Sequence, residues 1–183
     1  MKKIYIEGEN NPALRLAFSK LLEQEVKGKM PRIVLGNGIS QTIDKFRTFP
    51  LEEGEERYLL IDSDEPLVDK VQLLSKVNEE KCNGKNIIID ARLDNTFFMV
   101  QEVEAWILSQ PAALHKCGIV KGLPLSNIEQ IQKPSEKLYV IYELNGKTYH
   151  KVKELSKVFA HLDSKQLKAT CSEYHALIEA ISK

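Results

Sequence analysis

The chain has 183 residues, 43% hydrophobic and 28% charged, a balance that argues against a disordered or membrane-embedded protein and suffices for one core without a structural metal or disulfide. Its charges sum to 26 − 26 = 0, so no overall field draws it to a polyanion, and a nucleic-acid role needs a local patch or a partner. Cys82, Cys117 and Cys171 are odd in number, widely spaced and form no C-x-x-C pair, which excludes a disulfide framework or a zinc knuckle. The apolar stretch Ile4-Tyr5-Ile6 is too short for a signal peptide, and no run approaches the ~20 residues of a membrane span. A cytoplasmic protein without a membrane partner is expected.

In chain order, Lys3–Glu7 reads as a strand, and Asn11-Pro12 opens a helix carrying Leu14, Phe18, Leu21 and Leu22 at helical spacing. Pro31–Leu35 is a second short apolar run, closed by Gly36-Asn37-Gly38, and Ile39–Phe46 is expected to be helical. Tyr58-Leu59-Leu60-Ile61 is a continuous apolar run ending on Asp62, the mark of a parallel strand buried on both faces. Pro66–Asn78 reads as a helix through Val68, Val71, Leu74 and Val77, and Asn86–Ile89 as a strand ending on Asp90. Phe97–Leu108 is expected to be one helix, stopped near Pro111. After about Gly122 the rhythm turns helical: Lys151–Ala160, then Ser164–Ile181 broken near Ser172. Leu138–Leu144 fits either a helix begun at Pro134 or one arm of a hairpin at Asn145-Gly146, and the helix is preferred. The expectation is an α/β protein, with a core over residues 1–122 and a mainly helical extension over 123–183 packed on it.

The placement of carboxylates carries the chemistry. Glu7 ends the first strand, and Asp62 and Asp64 end the central one; ligands of open α/β sheets bind at such strand ends. Gathered acids repel unless a cation sits between them, and hard oxygen ligands suit Mg²⁺ or Mn²⁺. An Asp-x-Asp pair is weak evidence alone, since either residue can simply cap the next helix. Glu104 strengthens it. On a wheel of the expected Phe97–Leu108 helix it falls in the middle of the apolar face, where a carboxylate must be paired, protonated or metal-bound. A salt bridge to Lys151 or Arg92 is the structural alternative. Trp106 reads as packing, Asp90 as a cap, and Gly36-Asn37-Gly38 as a turn lacking any phosphate-loop pattern. The four histidines show no metal-ligand spacing. Tyr149-His150-Lys151-Val152-Lys153 is a small basic cluster whose lysines suit a phosphate or a solvated helix start.

Ile4-Tyr5-Ile6-Glu7-Gly8 followed by Leu59-Leu60-Ile61-Asp62-Ser63-Asp64 resembles the TOPRIM (topoisomerase–primase) core, with a Glu after its first strand and Asp-x-Asp after a later one. Phe98 to Leu108 resembles a TOPRIM-like family related to the nuclease halves of overcoming-lysogenisation-defect proteins, in which a Glu before an aromatic-aliphatic pair adds an acid to the metal site. Glu104 matches that Glu, and Tyr149-His150-Lys151 is similar to the family's Tyr-x-Lys segment. Such families often carry another acid or hydroxyl after Glu-Gly; here Glu9-Asn10-Asn11 stands there.

The resemblance implies a TOPRIM-like, mostly parallel sheet flanked by helices, and Mg²⁺-dependent (or Mn²⁺-dependent) phosphodiester cleavage. It implies Asp62, Asp64 and Glu104 as metal ligands, Glu7 as ligand or general base, and Lys151 on a phosphate. The partners implied are DNA or RNA and an SMC- or ABC-like ATPase in an anti-phage defence or mobile-element locus, with a homo-oligomer as a further option. Two alternatives stand beside this: a non-catalytic scaffold subunit of an ATPase complex, and an Asp-x-Asp phosphotransferase, which would need a nucleotide pocket.

Overall fold

The structure, a computed structural model, describes residues 1–48, 53–81, 93–122 and 128–183. The expected strand Asn86–Ile89 with Asp90, as well as Arg92 and Cys82, lies outside them.

Among the described residues, four parallel strands form one sheet: β1 (Lys2–Ile6), β2 (Arg32–Leu35), β3 (Glu56–Asp62) and β4 (Thr96–Met99), in the order β2-β1-β3-β4. Ile4 pairs with Ile33 on one side and Tyr58 on the other, and Leu60 pairs with Phe97. The strands alternate strictly between two cores. Ile4, Ile6, Tyr58, Leu60, Phe97 and Met99 enter one, while Tyr5, Leu59, Ile61, Phe98 and Val100 enter the other. The second core is closed by α2 (Ile39–Thr48) and α3 (Lys70–Lys81). The first, larger core is closed by α1 (Pro12–Glu23), α4 (Glu104–Leu108), α5 (Pro111–Lys116), α6 (Pro134–Leu144), α7 (Lys151–Phe159), α8 (Ser164–Thr170) and α9 (Ser172–Ser182). The protein is therefore α/β, an all-parallel sheet flanked by helices, with further helices at its C-terminal end. Among the described residues, no helix is long and apolar enough to cross a membrane.

Local chemistry explains the element ends. The Asn11 side chain accepts from Ala13 N–H at 2.8 Å with Pro12 at the first helical position, so α1 starts where expected. Asn145-Gly146 ends α6 and turns no hairpin. Gly146, at φ 67, donates to Glu143 O and Lys147 N–H donates to Tyr142 O, the paired bonds of a Schellman end. The glycine turn after β2 is set by contact. A Cβ on Gly36 would lie 1.8 Å from Thr42 Oγ1 and 2.9 Å from Thr42 Cα.

Two expected helices are corrected. Phe97–Leu108 is not one helix: Thr96–Met99 is β4, a turn follows, and α4 begins at Glu104. Phe97, Phe98, Met99 and Val100 are all apolar because both sheet faces are covered, and such a run has no period to read. The helix expected from Pro66 begins at Lys70, where Asp69 Oδ1 accepts from Val71 and Gln72 N–H. Val68 is 94% exposed and packs on no helical face.

Gly36→Ala should lower stability by roughly 1–3 kcal/mol, because the added methyl overpacks against the α2 backbone. A denaturant melt checks this, and a wild-type midpoint would show that the turn can shift without cost.

Candidate functional site at the carboxyl end of the sheet

The strand order reverses between β1 and β3, since α1 leads outward from β1 to β2 and α2 returns the chain past β1 to β3. That reversal parts the connecting loops and opens a crevice at the strand ends, the general ligand position of open α/β sheets. Glu7 and Asp62 stand on its two sides. Glu7 N–H donates to Leu60 O at 2.9 Å, and Glu7 Oε2 accepts from Asp62 N–H at 3.0 Å. Asp62 Oδ1 in turn accepts from Val103 N–H at 2.9 Å, which brings the start of α4 against the end of β3.

Glu104 is the first residue of α4 and is 0% exposed. Its Oε1 accepts from Tyr149 O–H at 3.0 Å and lies 3.2 Å from Lys151 Nζ. Its Oε2 is buried with no hydrogen-bond partner. Lys151, the first residue of α7 and half exposed, also lies 4.0 Å from Asp62 Oδ2. Glu7, Asp62, Glu104 and Lys151 thus converge. Asp64 does not join them: its exposed carboxylate faces Lys81 Nζ at 3.4 Å, on the rim. Its charge still reaches Glu7.

Two strained residues hold this arrangement. Asp64 (φ 57) and Gln101 (φ 66) are left-handed, a conformation costing about 1–3 kcal/mol when the surroundings impose it. Asp64 N–H donates to Gln101 O at 2.8 Å, and Gln101 N–H donates to Ser63 Oγ at 2.7 Å. The turns after β3 and β4 are laced together, and the lacing seats Asp62 beside Glu104.

Desolvation sets the protonation. Burial pushes the Glu7 carboxyl up to about 7, aided by the charge of Asp64 and opposed by the Asp62 N–H and by Lys151. Burial, then the charges of Glu7 and Glu104, lift Asp62 well above the usual carboxylate range, against Lys151 and Val103 N–H. Burial alone would lower Lys151, but Glu104 and Asp62 outweigh it and hold the ammonium above its ordinary value. Burial and Glu104 raise Tyr149, so its hydroxyl remains a donor.

The crevice is a cleft of ≈ 340 Å³ bounded by Glu7, Glu9, Asp62 and Lys151, with Leu14 and Leu155 among its apolar lining. Its acidic side chains supply oxygen donors, the type a hard cation takes. Three carboxylates face one ammonium, two of them resist ionisation, and a buried Glu104 oxygen lacks a partner. Among the described residues, however, no three His, Cys, Asp or Glu are already disposed as a ligand set. Lys151 stands between Glu104 and Asp62 instead. Tyr149 is the residue that site assignment from sequence missed, although Tyr149-His150-Lys151 stood out as a segment. Its hydroxyl reaches Glu104 across 45 positions, which no local pattern encodes. Trp106 packs against Phe18, Phe159 and Tyr174.

Fold and site define an α/β protein with an acidic, lysine-bridged cleft at the point where its sheet reverses. Residues 10–182 match the family described as "Domain of unknown function (DUF4276)", and the chain belongs to that family. No curated protein and no solved structure matches it.

Tyr149→Phe should destabilise the fold by about 1–3 kcal/mol, because a buried carboxylate oxygen loses its hydroxyl donor. An unchanged melting midpoint would mean that Lys151 alone satisfies Glu104. A second expectation concerns pH without divalent cations. Because the folded pKa of Glu7 is raised, its contribution to stability is complete below the unfolded value of about 4.3 and is lost as pH rises through about 7. Wild type should therefore lose more stability than Glu7→Gln between these pH values, and parallel melting curves would refute the shift.

Proposed function

We propose that the chain hydrolyses phosphodiester bonds of nucleic acid with the help of a divalent cation, as the effector partner of an ATPase. The observation that supports this most is the convergence of Glu7, Asp62 and Glu104 at the reversal of the sheet, with a buried Glu104 oxygen left unpartnered. The likeness of Glu7-Gly8 and Asp62-Ser63-Asp64 to the TOPRIM motifs agrees with it.

In this reading Asp62 and Glu104 would hold Mg²⁺ or Mn²⁺, and Asp64, paired with Lys81, would join them only by leaving that pair. The bound ion would lower the pKa of a water and neutralise charge on the phosphate. Glu7 keeps Oε2 on Asp62 N–H, which leaves Oε1 to take the proton of the attacking water; a carboxyl near 7 suits a general base. Tyr149 orients Glu104. Lys151 exchanges its carboxylate contacts for a non-bridging phosphate oxygen. The apolar wall of the cleft strengthens each of these interactions by excluding water. With no net charge, the chain leaves much of the grip on nucleic acid to the ATPase or to a second copy of itself.

One observation favours the second reading, a non-catalytic scaffold subunit. The Lys151–Glu104 pair is already closed at 3.2 Å and can serve as a structural bridge. Cleavage assays on DNA and RNA with Mg²⁺ or Mn²⁺, with and without the ATPase and ATP, separate the two. Cleavage should be weak alone and stimulated by the partner. Glu7→Gln should lower the rate about 10²-fold or more, and Asp62→Asn should remove it. No cleavage under any combination, or full activity in Asp62→Asn, would overturn the nuclease reading.

A further inference from the structure

A second cavity, of ≈ 630 Å³, borders the same helix and contains none of the four residues that converge in the cleft. Helix α7 is the partition. Val152 and Leu155 line the acidic cleft, whereas Glu154 and Lys157 line the second cavity. Three segments distant in sequence bring cations to it: Lys116 from the end of α5, Lys147 from the turn after α6, and Lys157 from α7, with His161 beside them. Glu154, the one acid among the described lining residues, is buried and already committed, 2.8 Å from Lys157 Nζ and accepting from Tyr142 O–H at 3.3 Å. Lys147 Nζ donates to Cys117 O at 2.5 Å, a carbonyl that leaves its charge intact. Three lysines and one glutamate give the lining 3 − 1 = +2, in a chain whose total is zero.

Such a lining selects an anion that accepts from several directions at once, which is what a phosphate group presents to point-like ammonium donors. The cavity is also coupled to the acidic cleft. Tyr142 lines it, and the Tyr142 ring packs edge-on at 5.2 Å against Tyr149, whose hydroxyl holds Glu104. Lys151 and Lys157 are six residues apart on α7, roughly 9 Å along its axis and about 120° apart around it, so one faces each cavity. We infer that this cavity is a second phosphate site, which seats a non-scissile phosphate of the strand held in the acidic cleft. The identity of the ligand as nucleic acid rests on the proposed function; its phosphate chemistry rests on the lysines alone. The site is the local patch that a neutral chain requires.

The test is binding of a fluorescein-labelled single-stranded oligonucleotide in EDTA, followed by anisotropy across a salt series. No cleavage is needed for this readout. Lys116→Gln/Lys147→Gln should bind more weakly and flatten the slope of log K against log salt by about 0.7 for each lysine removed. Lys76→Gln, on α3 across the sheet, should leave both unchanged. A wild-type slope in the double variant would overturn the inference and leave the nuclease reading standing. Loss of binding in that variant, with no cleavage by wild type under any condition, would uphold the phosphate site and remove the nuclease. Inorganic phosphate and a mononucleotide serve as competitors. If either binds at the lysines while the oligonucleotide does not, the site belongs to a small metabolite and the strand assignment fails.

Discussion

Asp62 closes β3, and its backbone and side chain reach the two elements that make the cleft. Its N–H donates to Glu7 after β1, and its Oδ1 accepts from Val103 at the start of α4. These bonds hold three carboxylates close enough to repel, and the repulsion has few outlets in a buried setting. Burial raises the pKa of Glu7 and Asp62, with the charges of Glu7 and Glu104 adding to the shift of Asp62, while the Lys151 ammonium offsets it and one Glu104 oxygen is left unpartnered.

The strain around this point follows from the same requirement. Asp64 and Gln101 adopt left-handed conformations so that the turns after β3 and β4 can bond to each other. With those turns linked, Val103 N–H faces Asp62 and Glu104 points inward as the first residue of α4. The C-terminal helices then act on the site from the other side. Helix α7 brings Lys151, the segment before it brings Tyr149, and α7 packs against α1 and α4 through the larger core.

The two cavities beside α7 differ in sign, and the difference has one structural origin. Near its start, α7 meets the strand ends, where carboxylates collect. Farther along, Lys157 and His161 meet the ends of α5 and α6, where Lys116 and Lys147 collect. Cations near helix C-termini are stabilised by the exposed carbonyls there, so a basic cavity forms where several such ends gather.

The amino-acid sequence by itself determined the alternation of β1, α1, β2, α2 and β3, because their caps and their periods are local. It also singled out Glu7, Asp62 and Glu104, since acids at strand ends and among apolar residues are costly wherever they stand. Glu104 was found through a wheel drawn on a helix that does not exist. Its burial was legible from its apolar neighbours, but Phe97–Val100 become a strand only because the two cores cover both faces. Asp64 shared the motif with Asp62, yet a left-handed turn aims it at Lys81, which lies 17 residues on. A Glu104–Lys151 pair was already the sequence's alternative to a metal, and the structure closes it at 3.2 Å. The Tyr149 contact, the second reach of Lys151 to Asp62 and the basic cavity were decided by tertiary structure alone. They join residues 30 to 90 positions apart, and a zero net charge averages away a patch of +2 that exists only once the helices pack.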